Sequence, residues 1–163
     1  MTTVSSARLL NIIALLCVGA VAAALVSQHV FDMLPCAWCV LQRFIFLAIA
    51  AVCWLAVLAG RYAGWAQRLG AAAAAALGCA GVAAAWYQHT VAANKFSCDM
   101  TFADRYMVSS GLDAGIPWLF GIFATCMDAR VSLLGIEYAL WGMGLFVLVT
   151  VLAGVAAWRR PAR

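Results

Sequence analysis

Four long apolar runs, at 9–28, 40–59, 69–87 and 138–158, govern what this chain can fold into. Each holds about 20 residues, which as a helix rising about 1.5 Å per residue reaches about 30 Å, the thickness of a bilayer's hydrocarbon core. A backbone in that core must satisfy its own hydrogen bonds, so the runs read as membrane-spanning α-helices. Composition agrees: 67% of the 163 residues are apolar and only 10% are charged, whereas soluble domains carry about 25% charged residues. A soluble globular protein and a disordered chain are excluded. So is a nucleic-acid binder, because ten basic residues scattered through such a chain form no basic patch. The expected architecture is an all-α, four-helix transmembrane bundle in the lipid bilayer, one integral membrane domain over 1–163. The first run has a rival reading as a cleaved signal, with Arg8 as its basic region and Ala22-Ala23-Ala24 as its cleavage site. Its length exceeds the roughly 7–15 residues of a signal core, which favours an uncleaved helix.

Charge sets the expected orientation. Arg8, Arg61, Arg68, Arg159, Arg160 and Arg163 fall at the amino end, between the second and third runs, and at the carboxyl end. The positive-inside rule makes those segments, and both termini, cytoplasmic. Asp32, Asp99, Asp104, Asp113, Asp128 and Glu137, the six acidic residues, all lie in the two opposite loops, 29–39 and 88–137. The longer loop carries Ile116, Trp118, Leu119, Phe120, Ile122 and Phe123 around Pro117. That stretch is too short to span, and is expected at the membrane interface or packed on the bundle's outer mouth. Gly78-Cys79-Ala80-Gly81 in the third run, and Gly142 and Gly144 in the fourth, are expected points of close helix contact.

Topology sorts the seven cysteines. Cys17, Cys53 and Cys79 lie within apolar runs, where thiols pack as small hydrophobes. Cys36, Cys39, Cys98 and Cys126 lie in the outward loops. Four thiols allow three pairings and sequence alone does not choose, although spacing makes Cys36 with Cys39 and Cys98 with Cys126 the natural arrangement. Pro35-Cys36-Ala37-Trp38-Cys39 opens the second helix, where unpaired N–H groups and the helix dipole stabilise a thiolate. Arg43 follows Cys39 by four residues and shares its helix face. A guanidinium so near the membrane needs an anionic or polar partner; a Cys39 thiolate or a ligand headgroup would supply one, and the alternatives are that Arg43 snorkels to the interface or pairs with Asp32. No metal site is expected, because zinc would need two further ligands and neither His29 nor His89 has ligand-like spacing. A disulfide closing only two intervening residues constrains little chain entropy, so Cys36–Cys39 reads as a redox pair.

Pro35-Cys36-x-x-Cys39 with Gln42-Arg43 behind it, a cysteine pair in the long loop, Tyr87-Gln88-His89-Thr90 and Leu134-Gly135-Ile136-Glu137 together resemble the DsbB family of disulfide-forming membrane proteins over nearly the whole chain. That resemblance implies a thiol:quinone oxidoreductase of the bacterial inner membrane that reoxidises a DsbA-type, thioredoxin-fold periplasmic oxidase. Cys98 would form a mixed disulfide with the partner, and Cys126 would then attack Cys36. Cys39, beside Arg43, would pass electrons to a membrane quinone, ubiquinone or menaquinone. His89 would donate a hydrogen bond to a quinone oxygen or, on its own chemistry, bond the loop. Tyr138 and Trp141 would line the quinone pocket or belong to an aromatic belt. The Ala37-Trp38 spacer is bulkier than the family resemblance leads us to expect. Three competing readings are a vitamin K epoxide reductase type of enzyme, a small transporter, and a scaffold with structural disulfides. The first places its redox pair late in its bundle, and the second would want an ionisable residue deep in the membrane.

Overall fold

The computed structural model describes residues 5–92 and 101–158, so Cys98, Asp99, Arg159, Arg160 and Arg163 lie outside the described residues. Four of its helices are long and apolar enough to cross a membrane: α1 (Ser6–Val30), α2 (Ala37–Ala59), α3 (Gly64–Thr90) and α7 (Tyr138–Trp158). Ser5 caps α1, its side-chain oxygen accepting the Arg8 backbone N–H at 3.3 Å. α1 and α3 extend beyond the apolar runs, because a helix continues to satisfy its backbone where its side chains become polar. α2 begins three residues before the run that marks it, with Cys36 as its N-cap.

α1 and α3 each pack against both α2 and α7. Leu10, Ile13 and Cys17 of α1, Ile49 and Cys53 of α2, and Phe146 and Val149 of α7 form the buried centre. α3 and α7 approach closely because Gly81 faces the Phe146 ring and Gly78 faces Thr150, leaving no room for a Cβ at either glycine. Phe146 in turn stacks on Phe46 with ring centroids 3.9 Å apart. Gly144 corrects the expectation of close contact, since it faces open space, and Gly142 looks towards the Gln42 side chain. Cys79 is a second correction. Cys17 and Cys53 are buried, but Cys79 is exposed on the outside of α3. In a membrane helix the lipid-facing side is as apolar as the packed side, so apolar neighbours do not distinguish them.

At one end of the bundle, Ser6 Oγ donates to the Ala156 carbonyl at 3.4 Å and Arg68 Nε to the Ala157 carbonyl at 3.2 Å. The start of α1, the start of α3 and the end of α7 therefore meet there. The other end carries the two loops. The second contains α4 (Phe102–Ser109), α5 (Leu112–Gly115), α6 (Pro117–Phe120) and an antiparallel hairpin of β1 (Ser132–Leu133) and β2 (Ile136–Glu137). Its two-residue turn, Leu134 and Gly135, has φ of 56° and 81°, as a tight hairpin turn following the strand twist requires. α4 opens with a capping box between Thr101 and Asp104 and packs on α2, where the Phe44 ring meets Tyr106 and Phe120. Pro35's carbonyl accepts two backbone N–H groups, from Phe123 at 3.0 Å and Ala124 at 3.2 Å. His29 Nε2 lies 3.1 Å from the Trp118 carbonyl. The aromatic stretch thus packs on the bundle's mouth through buried Phe120, while Trp118 and Phe123 stay exposed.

Candidate active site

Pro35, Cys36 and the first turn of α2 build the centre of the site. Cys36 caps the helix in extended backbone and Cys39 stands one turn in, so their sulfurs converge to 3.1 Å. That is thiol contact, since a disulfide bond is about 2.05 Å long. The Pro35 carbonyl, by holding Phe123 and Ala124, brings Cys126 to the same place. The Cys126 sulfur lies beside the Cys36 thiol and the Trp38 backbone N–H. The result is a row of three sulfurs, Cys126, Cys36 and Cys39.

Their environments differ in sign. Hydrogen bonds to Cys126 and then to Cys39, followed by burial, push the Cys36 thiol well above its ordinary range. The bond from Cys36 holds the Cys126 thiol below its ordinary range, against the opposing effect of burial and with help from the Trp38 N–H. Of the two, Cys126 is therefore the readier nucleophile when both are reduced. The bulky Trp38 ring is tucked away at 7% exposure, its centroid 4.8 Å from that of Tyr87, so the large spacer serves as packing between α2 and α3.

Arg43 is only 5% exposed. Its Nη1 donates to Gln28 Oε1 at 2.6 Å and to the Leu119 carbonyl at 3.1 Å, and Nη2 reaches the Ala24 carbonyl at 3.4 Å. The guanidinium thus pairs with a buried amide and with an orphan carbonyl at the end of α6, not with Asp32. Gln88, from the last turn of α3, donates to Cys39 Sγ at 3.1 Å, and its carbonyl accepts from Gln42 at 2.6 Å. Gln28, Gln42 and Gln88 were not singled out as site residues from the sequence. The signal available was an amide within a turn or so of the loop end of three apolar runs, at the depth of Cys39.

Beside Cys39, a cavity of about 710 Å³ lies between α1 and α7. Ala20, Ala23 and Ala24 form one wall and Gly142, Gly144 and Leu145 the other, with Arg43, Gln42, Gln88 and Cys39 at its inner end. Exposed Trp141 and Leu148 form its rim. Tyr138 also lines it, and its hydroxyl lies 3.3 Å from Ser27 Oγ of α1. His89 lies elsewhere. Its Nδ1 lies 2.5 Å from Glu137 Oε2, while Arg130 Nε donates to Glu137 Oε1 at 2.7 Å. Burial alone would raise the Glu137 carboxyl, but these two hydrogen bonds hold it below the usual carboxylate range. His89 and Glu137 border a separate space of about 20 Å³ that also touches Cys39, Gln88 and Cys126, roomy enough for one water.

Four apolar helices carrying converged thiols at the mouth of an apolar cavity define a multi-pass membrane protein of thiol–disulfide chemistry. Residues 6–156 match the family described as Disulfide bond formation protein DsbB, and the chain belongs to that family. Three relatives named Disulfide bond formation protein B are similar over most of their length. That of Verminephrobacter eiseniae is 31% identical over 95% of this chain and 91% of its own. That of Ralstonia nicotianae is 31% identical over 93% and 94%, and that of Herminiimonas arsenicoxydans 28% over 86% and 88%.

Proposed function

We propose that this disulfide bond formation protein is a thiol:quinone oxidoreductase of the bacterial inner membrane, with both termini cytoplasmic and both loops periplasmic. It reoxidises a DsbA-type thioredoxin-fold dithiol and so sustains disulfide formation in periplasmic proteins. The observation that carries the reading is the position of Cys39, which touches Cys36 on one side and lines the apolar cavity on the other.

The exchange runs by thiolate attack on sulfur. The partner's thiolate attacks Cys98 of the Cys98–Cys126 disulfide, forming a mixed disulfide and releasing Cys126 as thiolate. The partner's second thiol resolves that bond, leaving the partner oxidised and Cys98 reduced. Cys126 attacks Cys36, forming Cys126–Cys36 and releasing Cys39. Cys98 then recaptures Cys126, so that one disulfide is restored and Cys36 and Cys39 hold the two electrons as a dithiol. The closeness of Cys126 to Cys36, with the Trp38 backbone N–H favouring a Cys126 thiolate, supports that order.

The cavity fits a quinone. Its volume lies within the roughly 300–1,000 Å³ of small-molecule sites, its walls are apolar, and it carries polar groups only at the cysteine end. A bound quinone supplies a two-electron, two-proton acceptor. Arg43, Gln42 and Tyr138 would hold its polar head, and the alanine and glycine faces of α1 and α7 would admit its apolar part from the lipid. His89, paired with Glu137 beside the sulfurs, would act from the neighbouring small space.

The test uses purified protein in lipid vesicles with a reduced thioredoxin-fold dithiol protein and ubiquinone or menaquinone. Catalytic quinone reduction that is lost in Cys39→Ala is expected. Absence of turnover with both quinones would overturn the proposal.

A further inference from the structure

Two buried amides stand behind the sulfurs, and the exchange just described uses neither to move a bond. Gln42 and Gln88 are each 6% exposed, where an unpaired polar group is strongly disfavoured. Their hydrogen bonds form one chain. Gln42 Nε2 donates to Gln88 Oε1 at 2.6 Å, and Gln88 Nε2 donates to Cys39 Sγ at 3.1 Å and, more distantly, to Cys36 Sγ at 3.6 Å. A thiolate is an acceptor only, so the Gln88 NH₂ must face sulfur. The Gln42 NH₂, placed at the Gln88 carbonyl, enforces that same turn. A reversed Gln88 would set two NH₂ groups face to face and aim a carbonyl dipole at the thiolate.

We infer that Gln88, oriented by Gln42, is a positioning residue that marks Cys39 as the leaving sulfur of the Cys36–Cys39 disulfide. The inference rests on the thiol-exchange reading proposed above. When Cys126 attacks Cys36, the Cys126–Cys36 bond forms, the Cys36–Cys39 bond breaks, and the electron pair stays on Cys39. An N–H already aimed at that sulfur stabilises the charge as it develops, and hydrogen bonds to an ion are roughly twice as strong as neutral ones. Because the same donor is farther from Cys36, the disulfide is polarised towards Cys39. Arg43 adds a favourable charge near Cys39 but its hydrogen bonds go to Gln28, Leu119 and Ala24, so the donor aimed at sulfur is the Gln88 amide.

The experiment follows alkylation of Cys39 by iodoacetamide at neutral pH in the fully reduced, full-length protein, read on the Cys39 peptide by mass spectrometry. Buried Cys17 serves as the internal report on folding. Gln88→Glu keeps the shape and the acceptor for Gln42 but removes the donor, and the Cys39 rate is expected to fall about tenfold, in proportion to the thiolate fraction. Gln42→Leu leaves the donor but frees its orientation, and gives a smaller fall. If Cys17 becomes reactive in Gln88→Glu, the comparison is read on Gln88→Asn, whose shorter amide stops short of sulfur. An unchanged Cys39 rate with Cys17 still protected overturns the inference. The assay needs neither quinone nor partner, so failure of quinone reduction would remove the proposed function while this result still stands or falls alone.

Discussion

Replacing Arg43 with methionine cuts a strap that joins α1, α2 and the second loop. Its Nη1 bonds, 2.6 Å to Gln28 and 3.1 Å to Leu119, have a charged donor. Such bonds contribute about 1.5–3 kcal/mol each, so the pair amounts to about 3–6 kcal/mol. Against this stands the relief of no longer holding a guanidinium near the membrane, about 2.5–3.5 kcal/mol at a helix centre and less towards the edge. The balance is a net loss of about 1–3 kcal/mol. The Leu119 carbonyl is released, so α6 should lift from the mouth of the bundle. Thermal unfolding in detergent measures the first effect, and limited proteolysis within 110–131 measures the second. Arg43→Lys should recover only part of the loss, because one ammonium lacks the planar fork that reaches both acceptors. If Arg43→Met melts with the wild type and its loop stays equally protected, the strap is not what holds the second loop in place.

Three other perturbations probe separate parts of the site. Cys36→Ala removes the neighbouring thiol that favours a Cys126 thiolate, so in the reduced protein alkylation of Cys126 at neutral pH should slow about tenfold, the effect of roughly one hydrogen bond to a thiolate; an unchanged rate would contradict the influence of Cys36 on Cys126. Glu137 has a carboxyl held below its ordinary range, so its contribution to stability is present above the unfolded carboxylate value and lost as pH falls through the folded value. Glu137→Gln should therefore melt below the wild type at neutral pH and converge with it in acid, whereas a gap that persists in acid would point to packing. Gly144 faces open space, so Gly144→Leu should fold normally yet fill the cavity and raise the quinone KM several-fold, and an unaltered KM would place the quinone elsewhere.

The membrane spans were legible because a bilayer imposes length and apolarity on any helix that crosses it. The placing of Cys36, Cys39 and Arg43 together at the start of α2 was legible because helix starts and i, i+4 spacing are local properties. What the sequence could not show depends on contacts between distant segments. The Pro35 carbonyl holds Phe123 and Ala124 through backbone groups that every residue carries, so nothing in the side chains announces that Cys126 will reach Cys36. Arg43 called for a polar partner, but its choice of Gln28 over Asp32 depends on how α1 is turned against α2. Tyr138 and Trp141 fitted an aromatic belt better than a pocket wall, yet the gap between α1 and α7 makes them cavity residues. Cys79 was misread because lipid and protein interiors are alike in polarity.

The central claim is that electrons pass from Cys126 to Cys36 and leave through Cys39. Disulfide mapping of the oxidised Cys98→Ala variant, quenched with iodoacetamide, tests it most directly. With no Cys98 to recapture it, Cys126 should attack the Cys36–Cys39 disulfide, so that Cys36 is recovered cross-linked to Cys126 and Cys39 is recovered alkylated. Recovery of an intact Cys36–Cys39 disulfide beside alkylated Cys126 would contradict the account.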